Sequence, residues 1–118
     1  MPFKAVHYTQ VPEEDVKDFP GVKVRWLIRT KDGAENFFMR MFRVPPGTEI
    51  PEHSHDWEHE IFVLRGSGLV RIGEKEYRVS EGTFLFIPPN VEHYYENTGE
   101  GDLEFLCLIP LKGVPPEK

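Results

Sequence analysis

The stretch His53–Gly66, HSHDWEHEIFVLRG, holds three of the chain's five histidines within seven residues and runs directly into an apolar segment. On an extended strand residues i and i+2 point to the same side, so His53 and His55 can aim their imidazoles at one point. Their Cα atoms would lie roughly 6.5 Å apart, a span that two imidazoles can bridge to a metal with nitrogen bonds of about 2 Å. His59 follows across Asp56-Trp57-Glu58, a bend short enough to return a third imidazole to that point. Alone, a His-x-His pair reads equally well as two surface residues. The second half of the chain decides between these readings, because GTFLFIPPNVEHYYEN places His93 behind a glycine-started apolar run and a proline turn.

Working outward from this stretch, Gly and Pro punctuate the chain at short intervals, from Pro20-Gly21 and Pro45-Pro46-Gly47 to Pro88-Pro89-Asn90 and Gly101. Runs rich in Val, Ile, Phe and Tyr lie between them, which predicts an all-β sandwich or barrel of short strands. With 118 residues and no linker or repeat, the expectation is one domain over 1–118. In VKVRWLIRT, alternation puts Val22, Val24, Trp26 and Ile28 on one face and Lys23, Arg25 and Arg29 on the other. LVRIGEKEYRV reads as a hairpin whose loop, Gly73-Glu74, suits a type II′ turn. Pro89-Asn90 suits the centre of a type II turn, where Asn tolerates positive φ. AENFFMRMF is read as a strand, and PEEDVKDF as one helical turn at most.

The net charge of −6 and scattered basic residues disfavour nucleic acid as a partner. MPFKAVHYTQVPEED lacks an apolar signal core and no later run is long enough for a membrane span, so no membrane partner is expected. A single cysteine, Cys107, cannot form an internal disulfide and fits a reducing, cytoplasmic setting.

The spacing of these residues resembles the cupin family. Its first motif runs Gly, five residues, His-x-His, three or four residues, Glu, six residues, Gly. Here Gly47 precedes His53-Ser-His55, His59 and Gly66 at the matching intervals. Its second motif runs Gly, five residues, Pro-x-Gly, two residues, His, three residues, Asn, and is matched by Gly82, Pro88-Pro89-Asn90, His93 and Asn97. The motif region thus covers about 47–97, and a closing strand is expected over about 103–111. There are two departures. Asn90 stands in for a glycine, which the αL conformation allows. His59 stands where most cupins carry a glutamate ligand, with Glu60 adjacent; strand neighbours face opposite ways, and the spacing to Gly66 favours His59.

Within the family the pattern is similar to the small tetra-histidine subgroup, which carries an H-x-H-x-W-E-H-E signature and a closing strand like EFLCLIP. That resemblance implies a double-stranded β-helix, or jelly-roll, barrel. It also implies one divalent metal on His53, His55, His59 and His93, manganese first, then Fe, with Cu, Ni and Zn also suited to imidazole. Alternation in LEFLCLIP places Leu103, Phe105, Cys107 and Ile109 inside and sends Glu104 to solvent, while Tyr95 shares the parity of His93. Phe105, Cys107 and Tyr95 are therefore the candidate pocket residues, and no general acid or base falls on an expected inner face. Four neutral ligands leave the metal its full charge. The leading expectation is a metal-dependent oxidoreductase, using oxygen or peroxide on a small, partly apolar or unsaturated substrate. The alternatives are an isomerase or lyase, and a non-catalytic small-molecule binding or sensing module. Both faces of FFMRMFRV and LEFLCLIPL read as apolar, so a homodimer is expected.

Overall fold

Alternating apolar residues need a second layer to cover them, and this chain supplies it by folding its strands into two facing antiparallel sheets. The computed structural model describes residues 4–111. One sheet has the order β1 (Glu14–Asp15), β2 (Lys23–Ile28), β3 (Phe37–Val44), β10 (Leu103–Pro110), β5 (His59–Arg65) and β8 (Phe84–Ile87). The other has the order β4 (Glu49–His53), β9 (His93–Asn97), β6 (Ser67–Ile72) and β7 (Lys75–Ser80). Non-consecutive neighbours such as β3, β10 and β5 mark crossovers between the sheets, giving the expected jelly roll. The core draws on both sheets: Val24, Phe38, Phe42, Ile61, Val63 and Phe105 from the first, Ile50, Val70, Val79 and Tyr95 from the second. Among the described residues no helix is long and apolar enough to cross a membrane.

The local expectations hold at the turns. Ile72 pairs with Lys75, leaving Gly73-Glu74 as a two-residue loop with Gly73 at φ 61°. Asn90 has φ 66°, the one non-glycine residue with positive φ among those described. His7 is exposed, and its side chain accepts from the Thr9 amide to cap a short 3-10 turn at Tyr8–Gln10.

Three expectations are corrected. Ile28 is 37% exposed, because a register shift between Trp26 and Ile28 breaks the alternation of β2. Within PEEDVKDF, read as holding at most one helical turn, residues 14–15 form a two-residue strand against β2. His55 lies beyond the end of β4, in the loop before β5. Glu104 is only 7% exposed. A bulge in β5, where Leu64 is the extra residue, seats Arg65 opposite it, and its carboxylate pairs with that guanidinium at 3.4 Å. The rest of β10 alternates as read, with Leu103, Phe105, Cys107 and Ile109 buried.

The two residues that end the cupin motifs have structural reasons to be there. Gly66 has φ 89°, and a Cβ on it would meet the Asp102 carbonyl oxygen at 2.4 Å. Buried Asn97 donates to the Val44 carbonyl at 2.7 Å and the Gly101 carbonyl at 2.8 Å, and accepts from the Gly99 amide at 2.9 Å. Its amide thus pins the loop before β10 to the end of β3. Asn97→Ala should lower unfolding stability by about 2–4 kcal/mol, since it strips buried groups of their partner. Urea denaturation checks this, and an unchanged midpoint would remove Asn97 from the account.

Candidate metal centre

The smaller sheet contributes two histidines as direct cross-strand partners, His53 at the end of β4 and His93 at the start of β9. Their ring centroids lie 4.1 Å apart. His59 arrives from the opposite sheet as the first residue of β5, paired with Ile87 of β8. His55 is carried by the connecting loop, whose position is fixed twice. The Asn90 amide donates to the His55 carbonyl at 2.6 Å, so the proline turn of the second motif holds the loop of the first. Trp57 stacks flat on the His55 ring at 4.4 Å with an interplanar angle of 5°.

All four predicted ligands therefore share one region, with His55 to His59 at 5.3 Å and His59 to His93 at 4.9 Å between ring centroids. The tightest group is His53, His55 and His93, whose ligand nitrogens all lie within 4.8 Å of one another and could hold a metal ion. His59 adjoins this trio on the side of the larger sheet. Glu60 points away and is exposed, as expected from strand parity.

Two backbone carbonyls orient the rings. The Pro51 carbonyl lies 2.7 Å from His53 Nδ1, and the Val91 carbonyl lies 3.0 Å from His93 Nδ1. A carbonyl only accepts, so each Nδ1 carries the proton and each Nε2 keeps its lone pair for a metal. His93 Nε2 and His59 Nδ1 are both buried and lack any hydrogen-bond partner. Burial pushes His59 down to about 3, helped by the neighbouring His93 and Arg40, and His93 down to about 4 against the pull of the Val91 carbonyl. His55 is lowered as well, first by burial and then by His53 and Arg40. Unprotonated rings with orphaned nitrogens are the form that coordinates a metal, and the donor set fits one.

A cavity of about 660 Å³ opens beside the rings. Its walls include Trp26, Phe42, Tyr95, Phe105 and Cys107, so all three predicted pocket residues line it. Tyr95 stacks on Phe105, which stacks on Phe42, at 5.3 and 5.4 Å between centroids. Burial raises the Tyr95 hydroxyl well above its ordinary range and raises the Cys107 thiol, the latter opposed by Arg40. Neither is poised to exchange a proton near neutrality. A second cavity, about 420 Å³, lies on the other side of Trp57, against Phe37, Glu60, Pro89 and Leu108.

Two features escaped the sequence reading. Residues 14–19 border the cavity, and Phe19 lies 5.7 Å from the His53 ring. Arg40 lines the same cavity, on a strand read as apolar on both faces. The signal was present in its parity with buried Phe38, Phe42 and Val44.

Comparison with known proteins agrees with this geometry. The oxalate-binding protein of Thermotoga maritima is 39% identical over 75 residues, covering 63% of this chain and 61% of that protein. SchB of Streptomyces halstedii is 35% identical over 98 residues, covering 81% of this chain and 70% of that one. In structure, the polyketide cyclase RemF of Streptomyces resistomycificus superposes with a TM-score of 0.87 at 34% identity, over 93% of this chain and 80% of RemF. The chain spans under two thirds of the oxalate-binding protein. Residues 40–109, more than half of the sequence and inclusive of all four clustered histidines, match Cupin_2, the cupin domain, and the chain belongs to that family.

Proposed function

We propose that this cupin is a metal-dependent oxidoreductase, an oxygenase or peroxide-using enzyme acting on a small, partly apolar or unsaturated molecule. The observation that carries the reading is the convergence of imidazoles beside an aromatic cavity of about 660 Å³. His53, His55, His59 and His93 would hold one divalent metal, with manganese first by resemblance to tetra-histidine cupins. When bound, that ion supplies Lewis acidity and coordination positions for an oxidant. The chain's own residues do the rest. The Pro51 and Val91 carbonyls hold two rings in the binding tautomer. Trp57 braces His55, and the Phe42–Phe105–Tyr95 stack presents an apolar wall that excludes water. With Tyr95 and Cys107 both held protonated, the apolar walls offer no general base. That balance favours redox over proton-transfer chemistry.

A second reading is supported by the likeness to the polyketide cyclase RemF. On that reading the same four histidines would hold a metal that supplies Lewis acidity toward an enolisable substrate, with Arg40 as the cation lining the cavity. Substrate-dependent consumption of oxygen or peroxide by the metal-loaded protein, across a panel of aromatic and unsaturated compounds, is expected on the first reading. Turnover of an enolisable polycarbonyl without oxidant uptake would replace it with the second.

We also propose a homodimer in a cytoplasmic setting. Support for the dimer comes from the outer face of the larger sheet, where Leu106, Phe62 and Phe84 pair in register and Phe86 follows on β8. Phe84 is 77% exposed and Phe62 45%, an apolar stripe reaching an edge strand. Phe84→Asp with Phe62→Asp should yield a 13.7 kDa monomer in sedimentation. A wild-type monomer at micromolar concentration would defeat the proposal.

The metal reading makes a graded prediction. His53→Ala and His93→Ala should each lose most bound metal, as read by elemental analysis, and His59→Ala should lose it while Glu60→Ala keeps it. Retention by His59→Ala with loss in Glu60→Ala would reverse the assignment. The pH dependence follows from the depressed histidines. Below about 6.5 the unfolded chain takes up protons that folded His55, His59 and His93 refuse. Their contribution to stability is therefore complete above about 6.5 and is lost as pH falls through about 4 towards about 3. Metal occupancy and the thermal midpoint of the metal-free protein should both fall over that window, and a flat thermal profile would contradict the geometry.

A further inference from the structure

Arg40 sits on the inward row of β3, and register places Trp26 of β2 on one side of it and Cys107 of β10 on the other. One guanidinium nitrogen donates to Cys107 Sγ at 3.0 Å. The guanidinium carbon lies 4.8 Å from the Phe42 ring centroid and 5.6 Å from that of Trp26. A thiol is a weak acceptor, and ring faces stabilise a cation only modestly. Arg40 Nε is buried with no hydrogen-bond partner at all. None of the ion pairs among the described residues involves Arg40, whereas Arg25, Arg29, Arg43 and Arg65 each have a carboxylate. The acidic residues bordering the same cavity are Glu14, Asp15 and Asp18. Glu14 is engaged by Arg29, Asp15 by Lys23, and all three are exposed.

A permanently charged guanidinium inside a largely apolar chamber costs stability unless an anion shares the chamber with it. It is also planar, with a fork of donors that matches a carboxylate. Its charge reaches the metal-site rings, lowering both His55 and His59. An acid group on Arg40 would thus leave the attached apolar body among Phe42, Phe105 and the histidines.

We propose that Arg40 is the specificity-determining residue of this cavity, receiving the carboxylate of a planar aromatic or conjugated acid whose apolar body lies along Phe42 and Phe105. The proposal rests on reading the cavity as the substrate site, and it names the substrate class as monoanionic acids rather than neutral hydrocarbons.

The test compares binding of cinnamate and of its uncharged counterpart cinnamamide by calorimetry, using the metal-stripped and the manganese-loaded full chain. Wild-type protein should prefer cinnamate by about tenfold or more in both forms. Arg40→Gln should abolish that preference by weakening cinnamate alone, and Arg40→Lys should restore part of it. Equal affinity for the two compounds, or no cinnamate binding at millimolar concentration, overturns the proposal. So does an equal loss of both ligands in Arg40→Gln, which would mark a structural role, or a preference confined to the metal-loaded form, which would place the carboxylate on the metal. Should Arg40→Gln fail to fold, the wild-type comparison in the metal-stripped form decides. An Arg40-dependent preference without oxidant consumption would sustain this inference and remove the oxidoreductase reading.

Discussion

The direct pairing of His53 with His93 across β4 and β9 is the constraint around which the site is organised. The pair lies beyond a register shift after Ile50, apart from the regular β4–β9 ladder, and it places two polar rings together at one end of that ladder. Polar rings survive there only if their donors are satisfied and their charge is suppressed. Both conditions are met locally for His93. Carbonyls two residues upstream, Pro51 and Val91, take the Nδ1 protons, and burial keeps His93 unprotonated down to about 4. What remains unsatisfied is His93 Nε2 and, across the gap, His59 Nδ1. The fold thus tolerates a small cluster of orphaned lone pairs, the arrangement a metal ion would satisfy.

Most of this was legible in the sequence because strand geometry has a period of two. His59 against Glu60 is the clearest case: neighbours on one strand must face opposite ways, and the histidine takes the buried side while the glutamate is exposed. Gly73 and Asn90 were legible for a different reason, since few residues accept positive φ and both sit where a tight turn needs it. Asn90 turns out to matter beyond its own turn, because its amide anchors the loop that carries His55.

The misreadings fall where alternation is interrupted or where a residue's partner lies far off in sequence. A bulge in β2 exposes Ile28, and one in β5 sets Arg65 opposite buried Glu104. Neither bulge leaves a mark in the residues beside it. His55 reaches the cluster from a loop, so its placement depends on Asn90, thirty-five positions away, and not on the i, i+2 rule that suggested it. Arg40 is instructive in another way. Parity alone would have put it inside with Phe38 and Phe42, but a charged residue in an apolar run invites assignment to solvent. Here the rings of Phe42 and Trp26 and the sulfur of Cys107 flank it instead.

The cavity therefore has two poles, a guanidinium at one wall and a group of imidazoles at another, separated by aromatic surface. The guanidinium pole acts on the imidazole pole. The Arg40 charge opposes protonation of His55 and His59, which keeps those rings in the ligand form. It also opposes the rise that burial imposes on the Cys107 thiol. A metal held by neutral ligands would add a second positive centre to the same chamber, whose carboxylates among the described residues are the exposed Glu14, Asp15 and Asp18 at its border. Electrostatics of this kind disfavour a neutral or cationic guest and favour one that brings its own negative charge on a flat apolar body. On this account the replacement of the usual cupin glutamate by His59 and the placement of Arg40 act together, since both shift the interior toward positive potential.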